Sequence, residues 1–219
     1  MTLPVPWTYT NLSDFDNCPH KYYRKHVKKD LPKEPPSEAM TWGISVHEAM
    51  EKRLRDRTPL PETMLKFEPL AAVVERLPGI KTYETKVAIN VNWTGTRFFG
   101  DDVFGRGKID VLVVPENGNG LILDWKTGKK REDPFELMCF ALMASKQWNV
   151  QNWKGAYVWL QDMKLGQMYD LNPDEAMRTI EKRTQAIEEN AMRDHWPKHD
   201  NPLCGWCPVH DCEFNRSKT

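Results

Sequence analysis

The sequence predicts a single α/β domain over residues 1–219, in which helices flank a mixed central sheet. Segments 81–93, 107–114 and 120–126 have the alternating or continuous apolar character of strands. The last two are nearly continuously apolar, which is typical of a sheet that is covered on both faces. Apolar residues at helical spacing occupy segment 41–57, upstream of these strands.

The remaining elements follow from local start and stop signals. They are a short helix from Ser13 or Asp14, a Pro-rich connector at 31–40, a helix at 64–77 ended by Pro78-Gly79, a helix from Asp133 to about Trp148, a strand at 153–160, a short strand at 168–171 and a long helix from Asn172 to about Asp194. The tail from His195 has the composition of a loop and contains three cysteines.

Composition restricts the class of protein. Net charge is formally zero, which excludes a uniformly basic coat but allows local basic patches. No apolar run approaches the roughly 20 residues of a membrane span, and the N-terminus lacks the basic and apolar regions of a secretion signal. We therefore expect a cytoplasmic protein without membrane contact. Structural disulfides are rare there, so the five cysteines need another explanation.

Two carboxylates are predicted to meet on the central strands. If segment 115–119 is a hairpin loop, Asp110 lies directly opposite Asp124. Opposed residues share a face of the sheet, with Cβ atoms about 4.5–5.5 Å apart. Lys126 lies two residues beyond Asp124 and therefore projects from the same face.

This arrangement favours metal chemistry. Two close, partly buried carboxylates repel each other, and hard cations such as Mg²⁺ take carboxylate oxygens. A lysine beside the cation can orient water and stabilise a phosphorane-like transition state. The pattern indicates metal-assisted attack of water on a phosphodiester; the alternative is a charge cluster at a strand end near solvent.

Two further residues are candidate ligands of the same cation. His47 lies on the otherwise apolar side of its helix, where a histidine is more often a hydrogen-bonded core residue. Glu84 lies in the alternating strand upstream of the hairpin, where it is either a ligand or an exposed strand carboxylate.

The cysteines of the tail have the spacing of metal ligands. Two residues separate Cys204 from Cys207, and four separate Cys207 from Cys212. A tetrahedral Zn²⁺ site would take these three with either Cys18 or His210. The tail spacing alone does not separate zinc from an iron–sulfur cluster.

Two basic segments near the predicted site are candidates for binding nucleic acid. Lysine and arginine contact phosphates, and tyrosine stacks on splayed bases. The alternative for each segment is a solvated helix face or loop. The first contains Lys21, Tyr22, Tyr23, Arg24, Lys25, Lys28 and Lys29, and the second contains Lys129, Lys130 and Arg131.

Four motifs, in order, resemble those of the PD-(D/E)XK nuclease superfamily. They are SDFDNCPHKYY at 13–23, GISVHEAME at 43–51, GKID at 107–110 with LDWKTGK at 123–129, and CGWCPVHDC at 204–212. The set is similar to the RecB/AddB-like branch of iron–sulfur exonucleases, which includes CRISPR-adaptation nucleases and their phage relatives. The resemblance implies a restriction-endonuclease-like core at 40–160.

The resemblance also implies roles for individual residues. The ligands of Mg²⁺ or Mn²⁺ would be His47, Asp110 and Asp124, with Glu84 and the carbonyl of Trp125 as further candidates, and the catalytic residues would be Asp110, Asp124 and Lys126. Where the family has Gln and, four residues later, Tyr, this sequence has Glu136 and Phe140. We interpret Glu136 as a helix cap, three residues after Asp133.

The cysteine motifs imply a metal clasp between the ends of the chain. By resemblance, Cys18 joins the three tail cysteines in holding a [4Fe–4S] cluster. Segments 13–30 and 195–214 would then be linked, and metal binding would contribute to folding.

Taken together, these features predict a divalent-metal-dependent DNA nuclease, an exonuclease by resemblance. Its partners would be DNA with single-stranded ends and proteins of recombination or replication, in a bacterial cell or a phage-infected host. The alternative is a catalytically inactive, metal-stapled nucleic-acid-binding or adaptor protein, which the departures at Glu136 and Phe140 keep open.

Overall fold

The computed structural model describes residues 2–32, 35–116, 118–130 and 133–217. They divide into two compact units. The first comprises Met1–Glu34, Ala88–Arg106 and Met177–Thr219, and the second comprises Pro35–Val87 and Gly107–Ala176. The division falls within two strands and one helix.

The order of the elements agrees with the predicted one. In the described residues these are α1 (Tyr9–Asn17), α2 (Pro19–Tyr22), a π-helix (Tyr23–Lys28), α3 (Glu38–Asp56), a 3-10 helix (Glu62–Phe67), α4 (Glu68–Arg76), β1 (Ile80–Ile89), β2 (Gly105–Val114), β3 (Gly120–Lys126), α5 (Phe135–Ser145), β4 (Trp153–Trp159), β5 (Lys164–Leu165), β6 (Tyr169–Leu171), α6 (Pro173–Met192) and a 3-10 helix (Pro202–Trp206). No helix among them has the length and apolar character needed to cross a membrane.

The sheet is mixed, as predicted. Its strand order is β1-β2-β3-β4-β5, and β6 also pairs with β4. Strands β2 and β3 are antiparallel, whereas β3 and β4 are parallel and are connected through α5. Val111 pairs with Leu123, so the register places Asp110 opposite Asp124 and confirms the predicted alignment.

Helices cover the sheet of the second unit. Residues such as Val46 and Met50 of α3 pack with α4 against Val111 of β2 and Trp125 of β3. Helix α5 is buried over most of its circumference and packs against β3 and β4. This coverage explains why the central strands are almost continuously apolar.

Helix α1, in the first unit, begins earlier than predicted. The predicted start at Ser13 or Asp14 is wrong, because Thr8 is the N-cap and its hydroxyl accepts a hydrogen bond from the Asn11 N–H. The Asn11 side chain in turn accepts a hydrogen bond from the Thr8 N–H. Asparagine replaces the usual Glu or Gln of a capping box, so the familiar sequence signal is missing.

In the first unit, the ring of Trp7 packs so close to the backbone that position 105 must be glycine. The Trp7 N–H donates to the Phe104 carbonyl at 2.9 Å, and the Arg106 N–H donates to the Trp7 carbonyl at 3.0 Å. A Cβ atom on Gly105 would lie 2.0 Å from the buried Trp7 ring. Only glycine allows this approach.

The N- and C-terminal segments contact each other within the first unit. The Arg24 guanidinium donates to both carboxylate oxygens of Asp211, at 3.0 and 2.9 Å. Trp196 stacks on Tyr22 and Tyr23, with ring centroids 5.8 and 5.1 Å apart. Polar and aromatic contacts therefore join these segments directly.

Asp14 is the most heavily bonded carboxylate of these segments. It lies within 2.9 Å of Lys25 Nζ and within 2.7 Å of both Lys21 Nζ and His26 Nε2. Burial by itself raises the pKa of Asp14, but the hydrogen bonds from His26, Lys21 and Lys25 lower it well below its ordinary value of 3.8. The carboxylate therefore stays charged and neutralises part of the basic segment.

We expect Asp14→Asn to destabilise the protein at neutral pH by about 1–3 kcal/mol, because Lys21, Lys25 and the ring of His26 lose their charged acceptor. The folded-state pKa is depressed, so this contribution is present at pH above the unfolded value near 3.8 and is lost as the pH falls below it. Urea unfolding, measured as the pH is lowered from about 7 to about 3, should show a shrinking difference between variant and parent.

Asp170→Asn is the matched control, because Asp170 forms an exposed ion pair with Lys154 and its loss should leave stability unchanged. An equal loss of stability for Asp14→Asn at every pH would contradict the assigned pKa shift.

Candidate metal centre

The paired strands bring two buried carboxylates together. The Trp125 N–H donates to Asp110 Oδ2 at 2.7 Å. The pKa of Asp124 is raised to about 6, because burial and the negative charge of Asp110 outweigh the lowering by Lys126 and His47. Burial also raises the pKa of Asp110, against a lowering by His47. A metal cation at this position, in addition to the Lys126 ammonium, would relieve the repulsion between the two aspartates.

His47, Glu84 and Asp110 converge from α3, β1 and β2. One donor atom from each lies within 4.8 Å of the other two, and in the described part of the chain no other three His, Cys, Asp or Glu residues do so. His47 Nδ1 lies 3.2 Å from Asp110 Oδ1 and 3.7 Å from Glu84 Oε1. Asp124 is adjacent to this group but outside it.

Glu84 reaches the group through an unusual backbone conformation. Its φ of 51° is left-handed, which is costly for a residue with a side chain and interrupts the alternation of β1. The side chain is 8 % exposed and pairs with His47 and Lys108. Burial raises the pKa of Glu84, but the ion pairs with His47 and Lys108 lower it overall. No sequence signal identifies either this conformation or the role of Lys108.

His47 is a charged residue in this environment. Burial lowers its pKa, but the hydrogen bond with Asp110 and the nearby carboxylate of Glu84 outweigh that effect and raise it to about 10. Its side chain is 30 % exposed, so it is not a residue of the hydrophobic core. A histidine that ligates a metal is unprotonated. The His47 imidazolium and a bound metal are therefore alternative ways to neutralise the charge of these carboxylates.

Lys126 is held between two carboxylates. Its Nζ lies 2.7 Å from Asp124 Oδ2 and 2.7 Å from Glu136 Oε2. Burial lowers the pKa of Lys126, but the charges of Asp124 and Glu136 raise it above the ordinary value of 10.5. A group that remains an ammonium does not abstract protons; it can hold water or stabilise negative charge.

The interpretation of Glu136 as a helix cap is wrong. Helix α5 begins at Phe135 and has Pro134 as its N-cap residue, which forms no capping bond. Glu136 instead accepts a hydrogen bond from Lys126 at 2.7 Å. Asp133, which precedes the N-cap, accepts a hydrogen bond from the N–H of Phe135, the first helical residue, at 3.0 Å. Pro134, and not Asp133, is the N-cap residue. Glu136 therefore follows the cap by two residues, whereas a capping box requires three.

The group borders an open groove of about 430 Å³, lined by Gly43, Ile44, His47, Glu48, Glu51, Glu84 and Lys108. A Cβ atom on Gly43 would lie 3.1 Å from Thr127 Oγ1, in the segment after β3. The glycine that precedes His47 by four residues therefore allows α3 to lie close to the end of β3.

The donor set fits a divalent cation. Carboxylates with one imidazole suit Mg²⁺ or Mn²⁺. Within the described residues, the buried Asp124 Oδ2 receives no hydrogen bond of suitable angle, although Lys126 Nζ lies 2.7 Å away as an ion pair. Trp125 contributes its N–H to Asp110, and a role for its carbonyl as a ligand remains a prediction.

Four cysteines line one small cavity in the first unit. Cys18, Cys204, Cys207 and Cys212 surround about 20 Å³ of space. Burial raises the pKa of Cys207, and a backbone hydrogen bond from Val209 and the charge of Lys21 offset part of that rise. His210, the alternative zinc ligand, is not among the described residues that line the cavity; its Nδ1 lies 3.1 Å from Ser217 Oγ.

Acidic residues pair with most of the first basic segment. Tyr22 is 1 % exposed, and Tyr23 stacks on Trp196, so protein contacts occupy both rings. The ion pairs are Lys21 and Lys25 with Asp14, Arg24 with Asp30 and Asp211, and Lys28 with Asp30. In the second segment Lys129 is exposed, Lys130 pairs with Asp162 at 2.8 Å, and Arg131 lies outside the described residues.

Similarity to solved structures extends over most of the chain. The crystal structure of a "putative exonuclease" from Eubacterium rectale matches with a TM-score of 0.57 and 13% identity, covering 99% of this chain and 89% of that one. The structure of a protein named SSO0001 has a TM-score of 0.43 and 16% identity, covering 93% and 85%. No curated protein matches the chain.

The Eubacterium rectale structure supports the fold alone, because its identity is low. The mixed sheet with flanking helices is consistent with a restriction-endonuclease-like core. A family model described as the PD-(D/E)XK nuclease superfamily matches residues 6–212. Since that match spans nearly all of the sequence, the chain belongs to the PD-(D/E)XK nuclease superfamily.

Proposed function

We propose that this protein is a divalent-metal-dependent DNA exonuclease that hydrolyses phosphodiester bonds. The observation that carries the proposal is the convergence of His47, Glu84 and Asp110 within 4.8 Å, from three separate elements. Membership of a nuclease superfamily supports the hydrolytic activity. The exonuclease mode is the part of the proposal that follows the motif resemblance and the printed name of the Eubacterium rectale structure.

The metal ligands would be His47, Glu84, Asp110 and Asp124, with the Trp125 carbonyl as a further candidate. A bound Mg²⁺ or Mn²⁺ supplies Lewis-acid chemistry and lowers the pKa of water. Asp124 and Glu136 hold the Lys126 ammonium in place. Lys126 orients the attacking water and stabilises the negative charge that develops on the phosphoryl oxygens.

The substrate is DNA with single-stranded ends, and the partners are recombination or replication proteins in a bacterial cell or a phage-infected host. Lys29 of the first basic segment and Lys129 of the second remain candidates for phosphate contact, since no ion pair of either is found among the described residues.

The cysteine cavity holds a [4Fe–4S] cluster in this proposal. Tetrahedral Zn²⁺ with Zn–S bonds of about 2.3 Å needs sulfur atoms roughly 3.8 Å apart. No three of the cysteine sulfurs, all of which are described, lie within 4.8 Å of one another. The wider spacing supports a ligand larger than one ion, and such a cluster would strengthen the contact between the N- and C-terminal segments.

We expect the parent protein to degrade labelled single- or double-stranded DNA with Mg²⁺ or Mn²⁺. Asp124→Ala and Lys126→Ala should each slow cleavage by about 10²–10³-fold, because Asp124 would hold the metal ion and Lys126 stabilises negative charge at the reacting phosphate. Lys154→Ala is the matched control, since Lys154 forms an ion pair on β4 and should be dispensable.

DNA binding without cleavage by the parent protein, at any divalent metal concentration, would contradict the nuclease proposal. It would favour the inactive nucleic-acid-binding or adaptor protein instead.

Glu136 is a positioning residue that acts through Lys126. We expect Glu136→Leu to lower kcat about tenfold with little change in KM, because the ammonium loses one of its two acceptors. Glu136→Gln keeps an acceptor and carries the residue that is usual in the family, so it should restore kcat towards the parent value. Equal losses in both variants would indicate that Glu136 does not position Lys126.

We expect anaerobically purified protein to contain iron and to absorb visible light, and Cys212→Ser to lose most of both. Cys139→Ala is the control, because Cys139 is buried within α5 and does not line the cavity. Metal analysis and the visible spectrum measure the result. A colourless parent protein that contains zinc would overturn the cluster in favour of a zinc site.

A further inference from the structure

We propose that a cationic cleft beside the metal groove binds the phosphate backbone of the substrate strand. The proposal rests on the nuclease function proposed above and adds the path of the nucleic acid. The cleft has a volume of about 800 Å³ and lies in the second unit. The lining residues used below are Arg53, Arg55, Arg57, Leu65, Lys81 and Tyr83.

The cleft and the metal groove share a helix and a strand. His47, Glu51 and Arg55 are spaced by four residues, so they lie along one face of α3. His47 and Arg55 are separated by about 12 Å along the helix axis. Arg55 Nη2 donates to the carbonyl of Tyr83 at 2.5 Å, and Tyr83 immediately precedes Glu84. A strand that leaves the metal groove therefore passes Arg55 into the cleft.

Positive charge remains in the cleft after its internal ion pairs are formed. The four cations of the lining, Arg53, Arg55, Arg57 and Lys81, outnumber its two carboxylates, Glu68 and Glu75, both of which pair with Arg53. Arg57 and Lys81 form no ion pair with any described residue, and Lys81 Nζ donates to the Leu77 carbonyl at 2.6 Å. Unpaired cations along a concave surface attract a polyanion.

Arg55 is the member that links the two sites. It pairs with Glu51, which lines the metal groove, and it is itself half exposed. Leu65 is 53% exposed and, with Tyr83, offers an apolar surface on which bases can pack. The cleft therefore combines phosphate contacts with a base-binding surface.

The backbone of Arg57 provides an independent observation. Arg57 caps the C-terminus of α3 with a φ of 58°, the left-handed conformation that glycine adopts without strain. A large side chain at this position is costly to the fold. Glycine would end the helix without this strain. An exposed cation that is kept in a strained conformation therefore indicates a function.

The same conformation allows a sharp experiment. Arg57→Gly removes the guanidinium and suits the left-handed backbone, so it should fold at least as well as the parent protein. Combined with Lys81→Gln, it should weaken binding of a fluorescent single-stranded oligodeoxynucleotide about three- to tenfold per cation, and lower the slope of log affinity against log salt by about 0.7 per contact.

Binding is measured by fluorescence anisotropy without divalent metal, so that cleavage does not interfere. Lys52→Gln is the matched control, because Lys52 is an exposed cation on α3 that does not line the cleft. In cleavage assays, the double variant should process a long oligonucleotide with a raised KM, while its cleavage of a dinucleotide, too short to enter the cleft, stays at the parent rate.

Unchanged affinity and salt slope in the double variant would overturn the cleft, whether or not the parent protein cleaves DNA. An equal loss of affinity in Lys52→Gln would also overturn it, because the effect would then be one of net charge. Loss of affinity specific to the cleft variant, in a parent protein that cleaves nothing, would support the cleft and refute only the nuclease function.

Discussion

The opposition of Asp110 and Asp124 across the β2–β3 hairpin is the constraint on which the candidate site depends. Two carboxylates buried side by side cost several kcal/mol unless partners compensate each of them. Asp110 receives the Trp125 N–H and the His47 imidazole, and Asp124 pairs with Lys126. Trp125 and Lys126 belong to β3 and His47 belongs to α3, so the charge pair constrains both of these elements.

Further contacts of the second unit surround the same pair of aspartates. Helix α3 lies close to the end of β3 because Gly43 has no side chain, and this places His47 beside Asp110. The left-handed backbone of Glu84 brings a third carboxylate to the same imidazole. From the other side of the hairpin, α5 supplies Glu136, which keeps the Lys126 ammonium charged and oriented. Packing, strain and ion pairing therefore support one another around the group.

The first unit uses its charges differently. Asp14 and Asp211 neutralise lysine and arginine side chains that the composition alone would assign to nucleic acid. The Arg24–Asp211 ion pair and the stacking of Trp196 on Tyr23 connect the N- and C-terminal segments, whose cysteines line the cavity. In the second unit, Arg57 and Lys81 line a cleft and have no carboxylate partner among the described residues. A count of basic residues therefore does not locate a phosphate-binding surface.

Periodicity and turn composition determined the strands, the hairpin register and the helices of the second unit, because these features depend on neighbours in the chain. The alignment of Asp110 with Asp124 followed from counting residues across one short loop. Helix starts that depend on unusual caps, at Thr8 and Pro134, were displaced, since their signals differ from the common ones.

Only the tertiary structure decided which charges meet. Glu84 required a left-handed residue inside a strand, Lys108 and Glu136 required contacts between separate elements, and the pairing of the basic segment required Asp211, 187 residues from Arg24. The local sequence does not predict such contacts. An ion pair depends on the distance between two side chains in space, and folding can bring together side chains that are far apart in the sequence.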